Sequence, residues 1–393
     1  MRQHRPRPLL HPNTRVAIVR PAGPVDRAPL EQAASHLASL TGWSVSLPPD
    51  PTPADDTPPW LADSDAARAT ALIEACEHAE LVWAARGGYG CARLLERLPT
   101  DLLRRTSTWL AGFSDITALH LWAATQGVPS IHAANAHGAA ALDDPEALAS
   151  LVALLRMGRG GAVPVRAALP GKARGTLTGG NLTVLASLIG TRWLPSLHDR
   201  ILLLEDVGEA PYRIDRALTS LLLDGRADGL RGVVLGHFTR CGDREAALQA
   251  CLERLGPLGI PVVRDAPFGH QAPNRALLLG VPWEIDGDEG RLVPVVQRMV
   301  SIQPVRAGAD ARFAGVCQRI DDAIREGVGS GAQLVVRHGD DVRVDASFGF
   351  TSGTELDHAL TAHGPVPVRA TTRFDLASLT KCLSTAVLAW QAI

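Results

Sequence analysis

The chain has no basic field: its formal net charge is −2, and charged residues make up 20% of its 393 residues. A protein that neutralises phosphates needs clustered Lys and Arg. Here the 39 basic residues, mostly Arg, are scattered, so no nucleic-acid partner is expected. Long apolar runs are also missing. None reaches the roughly 18 residues of a membrane span. Nor does the basic start lead into the apolar stretch of about 7–15 residues that marks a secretory signal, because Leu9 and Leu10 are followed at once by His11, Pro12, Asn13 and Thr14. No membrane partner and a cytoplasmic location are therefore expected. The Arg-rich opening, MRQHRPRP, reads as a short charged tail.

Cysteine pairs are absent too. Cys76, Cys91, Cys241, Cys251, Cys317 and Cys382 form no C-x-x-C, so neither a zinc site nor a disulfide framework is indicated. Dispersed thiols fit a reducing compartment. There is no H-E-x-x-H, and His132 and His137 are spaced wrongly for two ligands on one helical turn, so no metal is expected. Neither G-x-G-x-x-G nor a Gly-Lys-Ser/Thr loop occurs, and no cofactor is expected.

What is present is 46% hydrophobic sequence arranged in alternating strand and helix patterns, enough for two or three domains. Strands are read at 15–20, 45–47, 81–84 and 107–111, with helices at 29–40, 64–78, 92–98 and 116–125 between or after them. This alternation predicts a parallel α/β sheet, a Rossmann-like N-terminal domain over 1–156. A polar, Gly-rich stretch, 157–174, reads as a linker. A second α/β domain with a β-rich core follows over 175–303. It has strands at 201–204, 232–235 and 261–263, helices at 214–223 and 245–255, and a closing β segment at 277–279 and 283–285. From 304 to 393 the pattern changes to a helix at 312–326 and a hairpin at 333–337 and 342–348, an incomplete α+β segment.

Four segments could carry chemistry. Gly112-Phe113-Ser114-Asp115 ends a strand and opens a helix. Such a turn projects a serine hydroxyl out of the sheet, with helix N–H groups beside it for an oxyanion. Ser114 as a helix N-cap is the other reading. Ile116 stands where a lipase-type elbow needs a small residue. Leu202-Leu203-Leu204-Glu205-Asp206 puts carboxylates at the end of an apolar strand, where ligands sit and where a Glu could orient a histidine. Pro267-Phe268-Gly269-His270 supplies a loop histidine, with His120, His132, His137 and His237 as competitors. Arg86-Gly87-Gly88-Tyr89-Gly90 lets backbone approach a ligand closely, or is simply a tight turn.

Taken together and in order, these segments resemble the LD-carboxypeptidase family, which includes the microcin C self-immunity peptidase. The resemblance covers about 14–303 and rests on RGGYGCARLL (86–95), GFSDITALH (112–120), GTLTGGNLTVLASLIGT (175–191), LLEDVGEAPYRIDR, and the stretches 16–25 and 269–280. It implies Ser114 as nucleophile, His270 as base and Glu205 as its orienting carboxylate. It places the oxyanion hole at the backbone N–H groups of Asp115 and Gly88, and makes Arg86 a candidate for the substrate carboxylate. The serine would come from the first domain, and Glu205 and His270 from the second. The implied substrate is a murein tetrapeptide cut before its terminal D-Ala, in cytoplasmic peptidoglycan recycling by a homodimer. Where the family has His-Gly-Pro this chain has His132-Ala133-Ala134, in a loop flanking the site. Two other functions fit the same residues: an immunity peptidase cleaving a peptide-nucleotide or acyl-amide antibiotic, and a non-catalytic muropeptide-binding protein.

The C-terminal stretch contains Ser378-Leu379-Thr380-Lys381, an S-x-x-K that puts hydroxyl and amine on one helical face. With Phe374-Asp375-Leu376-Ala377 before it, the segment from about 313 to 393 resembles the opening of a serine β-lactamase or penicillin-binding domain. The remaining motifs of that family do not occur before Ile393, so the piece is read as truncated and inactive by itself.

Overall fold

Short β-branched and leucine-rich runs broken by Gly, Pro and Asp set the strands. The structure is a computed structural model that describes residues 10, 13–51, 56–139, 144–157, 160–295, 314–325, 331–338 and 341–349. The backbone groups into two units, Met1–Gln297 and Arg298–Ile393.

In the first unit the chain runs β1 (Arg15–Val19), α1 (Arg27–Thr41), β2 (Ser44–Ser46), α2 (Asp65–His78), β3 (Leu81–Ala84), α3 (Leu102–Thr106), β4 (Trp109–Gly112), α4 (Thr117–Thr125) and β5 (Ser130–His132). Local chemistry explains the boundaries. Gly42 takes the left-handed conformation that ends α1, and Ser64 Oγ accepts the Ala67 N–H to start α2. The five strands pair in parallel in the order β5-β4-β3-β1-β2.

The chain then forms α5 (Ala136–Ala139), α6 (Pro145–Met157), β6 (Val163–Pro164), β7 (Arg166–Leu169), β8 (Lys172–Asn181), α7 (Leu182–Ser187), β9 (Arg200–Val207), α8 (Pro211–Leu223), β10 (Gly232–Thr239), α9 (Arg244–Leu255) and β11 (Val262–Arg264). It finishes with β12 (Leu277–Leu279), β13 (Pro282–Asp286) and β14 (Arg291–Pro294). A second sheet of eight strands has the order β6-β14-β13-β8-β9-β10-β11-β7 and is parallel from β8 to β11. The expected mixed α/β class is what the chain adopts.

Three details differ from the sequence reading. The stretch read as a linker, 157–174, contains β6, β7 and the start of β8. β6 and β7 pair with β14 and β11, more than ninety residues on; their order comes from those distant partners and leaves little periodicity of its own. The helix read at 92–98 is a single 3₁₀ turn, Cys91–Leu94, because the Asp115 carboxylate accepts the Cys91 N–H and turns the chain there. The closing β segment is divided. β12 adds antiparallel to β5 in the first sheet, while β13 returns to the second. The loop between β11 and β12 therefore crosses from one sheet to the other.

β9 shows how the sheets share a core. Ile201 and Leu203 pack into one apolar cluster, with Ile18, Ile131 and Phe268. Leu202 and Leu204 point the other way, into a cluster with Val82, Leu110 and Leu218. Alternate residues face opposite sides of a strand, and a parallel strand covered on both faces is apolar throughout. Each such side chain contributes about 1.5–3 kcal/mol on burial. Both clusters draw on both sheets, so the nucleophile and base segments grow from one packed body.

In the second unit, α10 (Ala314–Arg325) precedes an antiparallel pair, β15 (Gly331–His338) and β16 (Asp341–Gly349). Ser378 and Lys381 lie outside the described residues.

β8 runs so close to β9 that a Cβ on Gly179 would sit 2.1 Å from the Leu203 carbonyl oxygen, and Gly179 also has φ +123°. Gly179→Ala is expected to cost roughly 3 kcal/mol or more, at the upper end of single-substitution effects. Urea unfolding of the two proteins measures it.

Candidate active site

Ser114 follows β4 immediately after Gly112 and Phe113. Its φ is 66°, a left-handed conformation that a side chain rarely adopts. Holding it costs of order 1–3 kcal/mol, and the surroundings enforce it. Asn135 clamps the preceding residue from both ends: its Oδ1 accepts the Phe113 N–H at 3.1 Å and its Nδ2 donates to the Phe113 carbonyl at 3.4 Å. Ser114 does not cap the next helix through its side chain. Its hydroxyl lies 3.0 Å from His270 Nε2. Ile116 is fully buried behind it, so the bulk that argues against a lipase elbow is accommodated by packing.

His270 sits in the loop between β11 and β12. Its Nδ1 is 2.7 Å from Glu205 Oε2. An ionised carboxylate only accepts, so Nδ1 carries the proton and Nε2 is left to accept from the Ser114 hydroxyl. Gly269 must be glycine here: at φ +121° a Cβ would meet Glu205 and His237 at 3.2 Å. Several bonds fix the loop. Asn274 Oδ1 accepts the Gly269 N–H, Asp144 accepts the Asn274 N–H, and Ser150 Oγ on α6 accepts the Ala276 N–H. Arg275 pairs with Glu146 on the same helix. Phe113 packs against the His270 ring at 4.8 Å between centroids.

Glu205, near the end of β9, is fully buried. Burial pushes its carboxyl above the ordinary value of 4.5, opposed by the His270 hydrogen bond and by Asn181, and reinforced by Asp206. Asn181 ends β8 directly beside Glu205 in register. Its Nδ2 donates to Glu205 Oε1 at 3.2 Å and to Asp206 Oδ1 at 3.1 Å. Asp206 accepts from the Thr183 N–H and hydroxyl at the start of α7 and from the Val207 N–H.

Three of the competing histidines have other surroundings. His120 is buried, with its pKa lowered to about 4 by desolvation. Its Nε2 donates to the Gly112 carbonyl and its Nδ1 accepts from Ser130, which steadies the strand below the serine. His132 is buried with its pKa lowered to about 3, between the rings of Phe113 and Phe268. His137 is exposed. Cys91 is no rival nucleophile, because burial pushes its thiol well above the ordinary range.

The glycine loop lies against the serine. A Cβ on Gly87 would lie 2.8 Å from Ser114 Cβ, 3.0 Å from its Oγ and 3.4 Å from the Asp115 nitrogen. The backbone of Gly87 therefore lies close to both the hydroxyl and the Asp115 nitrogen. Arg86 is exposed and donates to the Pro24 carbonyl at 2.7 Å. No group of three or more His, Cys, Asp or Glu side chains suited to a metal occurs among the described residues. Among them, too, no helix is long and apolar enough to cross a membrane. The sequence reading gave no role to Asn181, Asn135 or Asn274, and took Gly87 only as part of a loop that could approach a ligand. Asn181 and Gly87 lie inside motifs it quoted, but only the fold shows what they touch.

A hydroxyl, an imidazole and a buried carboxylate in one hydrogen-bonded line, at the ends of parallel strands, is the arrangement of serine-type acyl hydrolases. The comparisons with known proteins point to a peptidase. Residues 16–133 match the LD-carboxypeptidase N-terminal domain and residues 174–285 the LD-carboxypeptidase C-terminal domain. The chain belongs to the LD-carboxypeptidase family. It is 40% identical over 296 residues to the putative carboxypeptidase SCO6489 of Streptomyces coelicolor, covering 72% of this chain and 94% of that one. It is 39% identical over 229 residues to the murein tetrapeptide carboxypeptidase of Pseudomonas aeruginosa, covering 53% and 73%. The crystal structure of muramoyltetrapeptide carboxypeptidase from Oxalobacter formigenes superposes with a TM-score of 0.64 at 28% identity, over 71% of this chain and 97% of that one. These relatives support peptidase activity. Residues 320–392 match the β-lactamase family model.

Two measurements check the site. Ser114→Gly is expected to be more stable than Ser114→Ala by about 1 kcal/mol, because only glycine relieves the left-handed backbone; thermal unfolding compares them. Glu205 is the second. Its folded pKa is raised, so its contribution to stability is fully present below the unfolded value and is lost as pH rises through the folded one. Glu205→Gln should therefore gain stability relative to the wild type as pH climbs above 4.5, in a urea series across pH.

Proposed function

We propose that the chain is a serine carboxypeptidase that hydrolyses the bond between the L-centre of meso-diaminopimelate and the terminal D-Ala of murein tetrapeptides. The observation that carries this reading is the line from Ser114 Oγ through His270 to the buried Glu205, 3.0 and 2.7 Å long. The carboxypeptidases among its relatives supply the substrate class.

In the proposed mechanism Ser114 Oγ attacks the scissile carbonyl while His270 Nε2 takes its proton. Glu205 holds the imidazole in the tautomer that can accept and stabilises the imidazolium that forms. The backbone N–H groups of Gly88 and Asp115 receive the oxyanion. His270 then protonates the leaving amine of D-Ala, the C–N bond breaks, and an acyl-enzyme remains. Water, deprotonated by the same imidazole, attacks the ester and frees the tripeptide. A carboxypeptidase must also hold a free carboxylate. Arg86, exposed beside the glycine loop with one N–H on Pro24, is the residue we propose for that charge.

The cellular role we propose is cytoplasmic recycling of murein peptides. It is supported by the relative named for murein tetrapeptide and by Cys91, Cys241 and Cys251, buried thiols that form no disulfide.

Incubation with an L,D-tetrapeptide, with released D-Ala measured, tests the reading. Ser114→Ala is expected to lower the rate by roughly 10⁴ or more with the fold intact. Undiminished release by that variant would remove Ser114 from the chemistry.

A further inference from the structure

Arg68 lies on α2, away from the line of reacting groups, with its side chain 1% exposed. Burying a guanidinium is costly unless its donors are used, and here all three nitrogens are. Nε donates to the Asp63 carbonyl and Nη2 to Asp65 Oδ1. Nη1 donates to two carbonyls at once, those of Pro21 and Gly90. Gly90 leaves the room for this: a Cβ there would lie 2.9 Å from Nη1.

Those two carbonyls belong to two loops, one after β3, which lies against Ser114, and one after β1, which lies against that loop. Besides Arg68, these loops are joined by the Gly23 N–H on the Gly87 carbonyl at 3.1 Å and by Arg86 on the Pro24 carbonyl at 2.7 Å. A trans peptide is planar, and its N–H points opposite its C=O. Fixing the Gly87 carbonyl toward Gly23 therefore turns the Gly88 N–H away from Gly23. The far end of the glycine loop is held as well, by Asp115 Oδ2 on the Cys91 N–H at 2.8 Å.

We propose that Arg68 is a positioning residue for the oxyanion site: it holds the two loops in the register that orients the Gly87–Gly88 peptide toward Ser114. The proposal rests on the reading of Ser114 as nucleophile. Lysine would keep the charge and lose the fork, since one ammonium cannot serve Asp65, Asp63 and both carbonyls in the same geometry.

The test uses Arg68→Lys and a second variant that leaves the ion pair alone. Gly23→Ala places a Cβ 3.1 Å from the Gly87 oxygen and pushes on the same peptide. kcat and KM for D-Ala release are measured. So are the affinities for a substrate-like peptide aldehyde, which forms a tetrahedral adduct on Ser114, and for the tripeptide product, which does not. In both variants kcat should fall about 10–100-fold. Aldehyde affinity should fall by a similar factor, while KM and product affinity stay within about twofold. Wild-type kcat and aldehyde affinity in folded variants, with only the melting temperature lowered, would make Arg68 a staple of the fold and overturn the proposal. So would a loss of product affinity equal to the loss of aldehyde affinity. If Arg68→Lys yields no folded protein, Gly23→Ala decides by the same readouts. A wild type that neither releases D-Ala nor binds the aldehyde would remove the Ser114 reading itself, and this inference with it.

Discussion

The buried carboxylate of Glu205 is the constraint around which the site is organised. A charge with no water beside it must be met by donors. The donors are His270 Nδ1–H and Asn181 Nδ2–H, one from a loop that crosses between the sheets and one from the neighbouring strand β8. Meeting that demand brings the end of β8, the end of β9 and the β11–β12 loop to one point. The imidazole, once held there, has its free nitrogen facing the hydroxyl at the end of β4.

The same point explains the glycines. Gly269 lets the histidine loop lie on Glu205, Gly87 lets the glycine loop lie on Ser114, and Gly179 lets β8 lie against the backbone of β9. Each is a close approach that a Cβ would block. The site is compact because backbone stands where side chains would otherwise separate the reacting groups. Its strain sits in one residue, Ser114, whose left-handed backbone is held by the Asn135 clamp on Phe113.

Two sheets with one continuous core give this geometry its rigidity. Leu203 and Ile201 face one cluster and Leu202 and Leu204 the other, so β9 is locked on both sides before Glu205 emerges. β12 returns to the first sheet and pairs Leu277 with His132, which anchors the far end of the histidine loop. The serine and its base thus belong to different sheets without belonging to separate packed bodies.

The sequence alone determined the elements whose signals are local. Apolar runs marked β1, β3, β9 and β10, helical spacing marked α1, α2 and α8, and Gly-Phe-Ser-Asp, Glu205, His270 and the glycine loop were legible at strand ends as places for chemistry. The residues by themselves left five histidines open; the family resemblance pointed to His270, and the tertiary structure supplies the physical reason, since this imidazole reaches both Ser114 and Glu205, residues 156 and 65 positions away. The tertiary structure also showed strands within the stretch read as a linker, since β6 and β7 owe their order to partners far along the chain. Asn181, Asn135 and Arg68 became visible only in the fold for the same reason. Their roles lie in hydrogen bonds to distant backbone and carboxylates, and no spacing in the sequence encodes those partners.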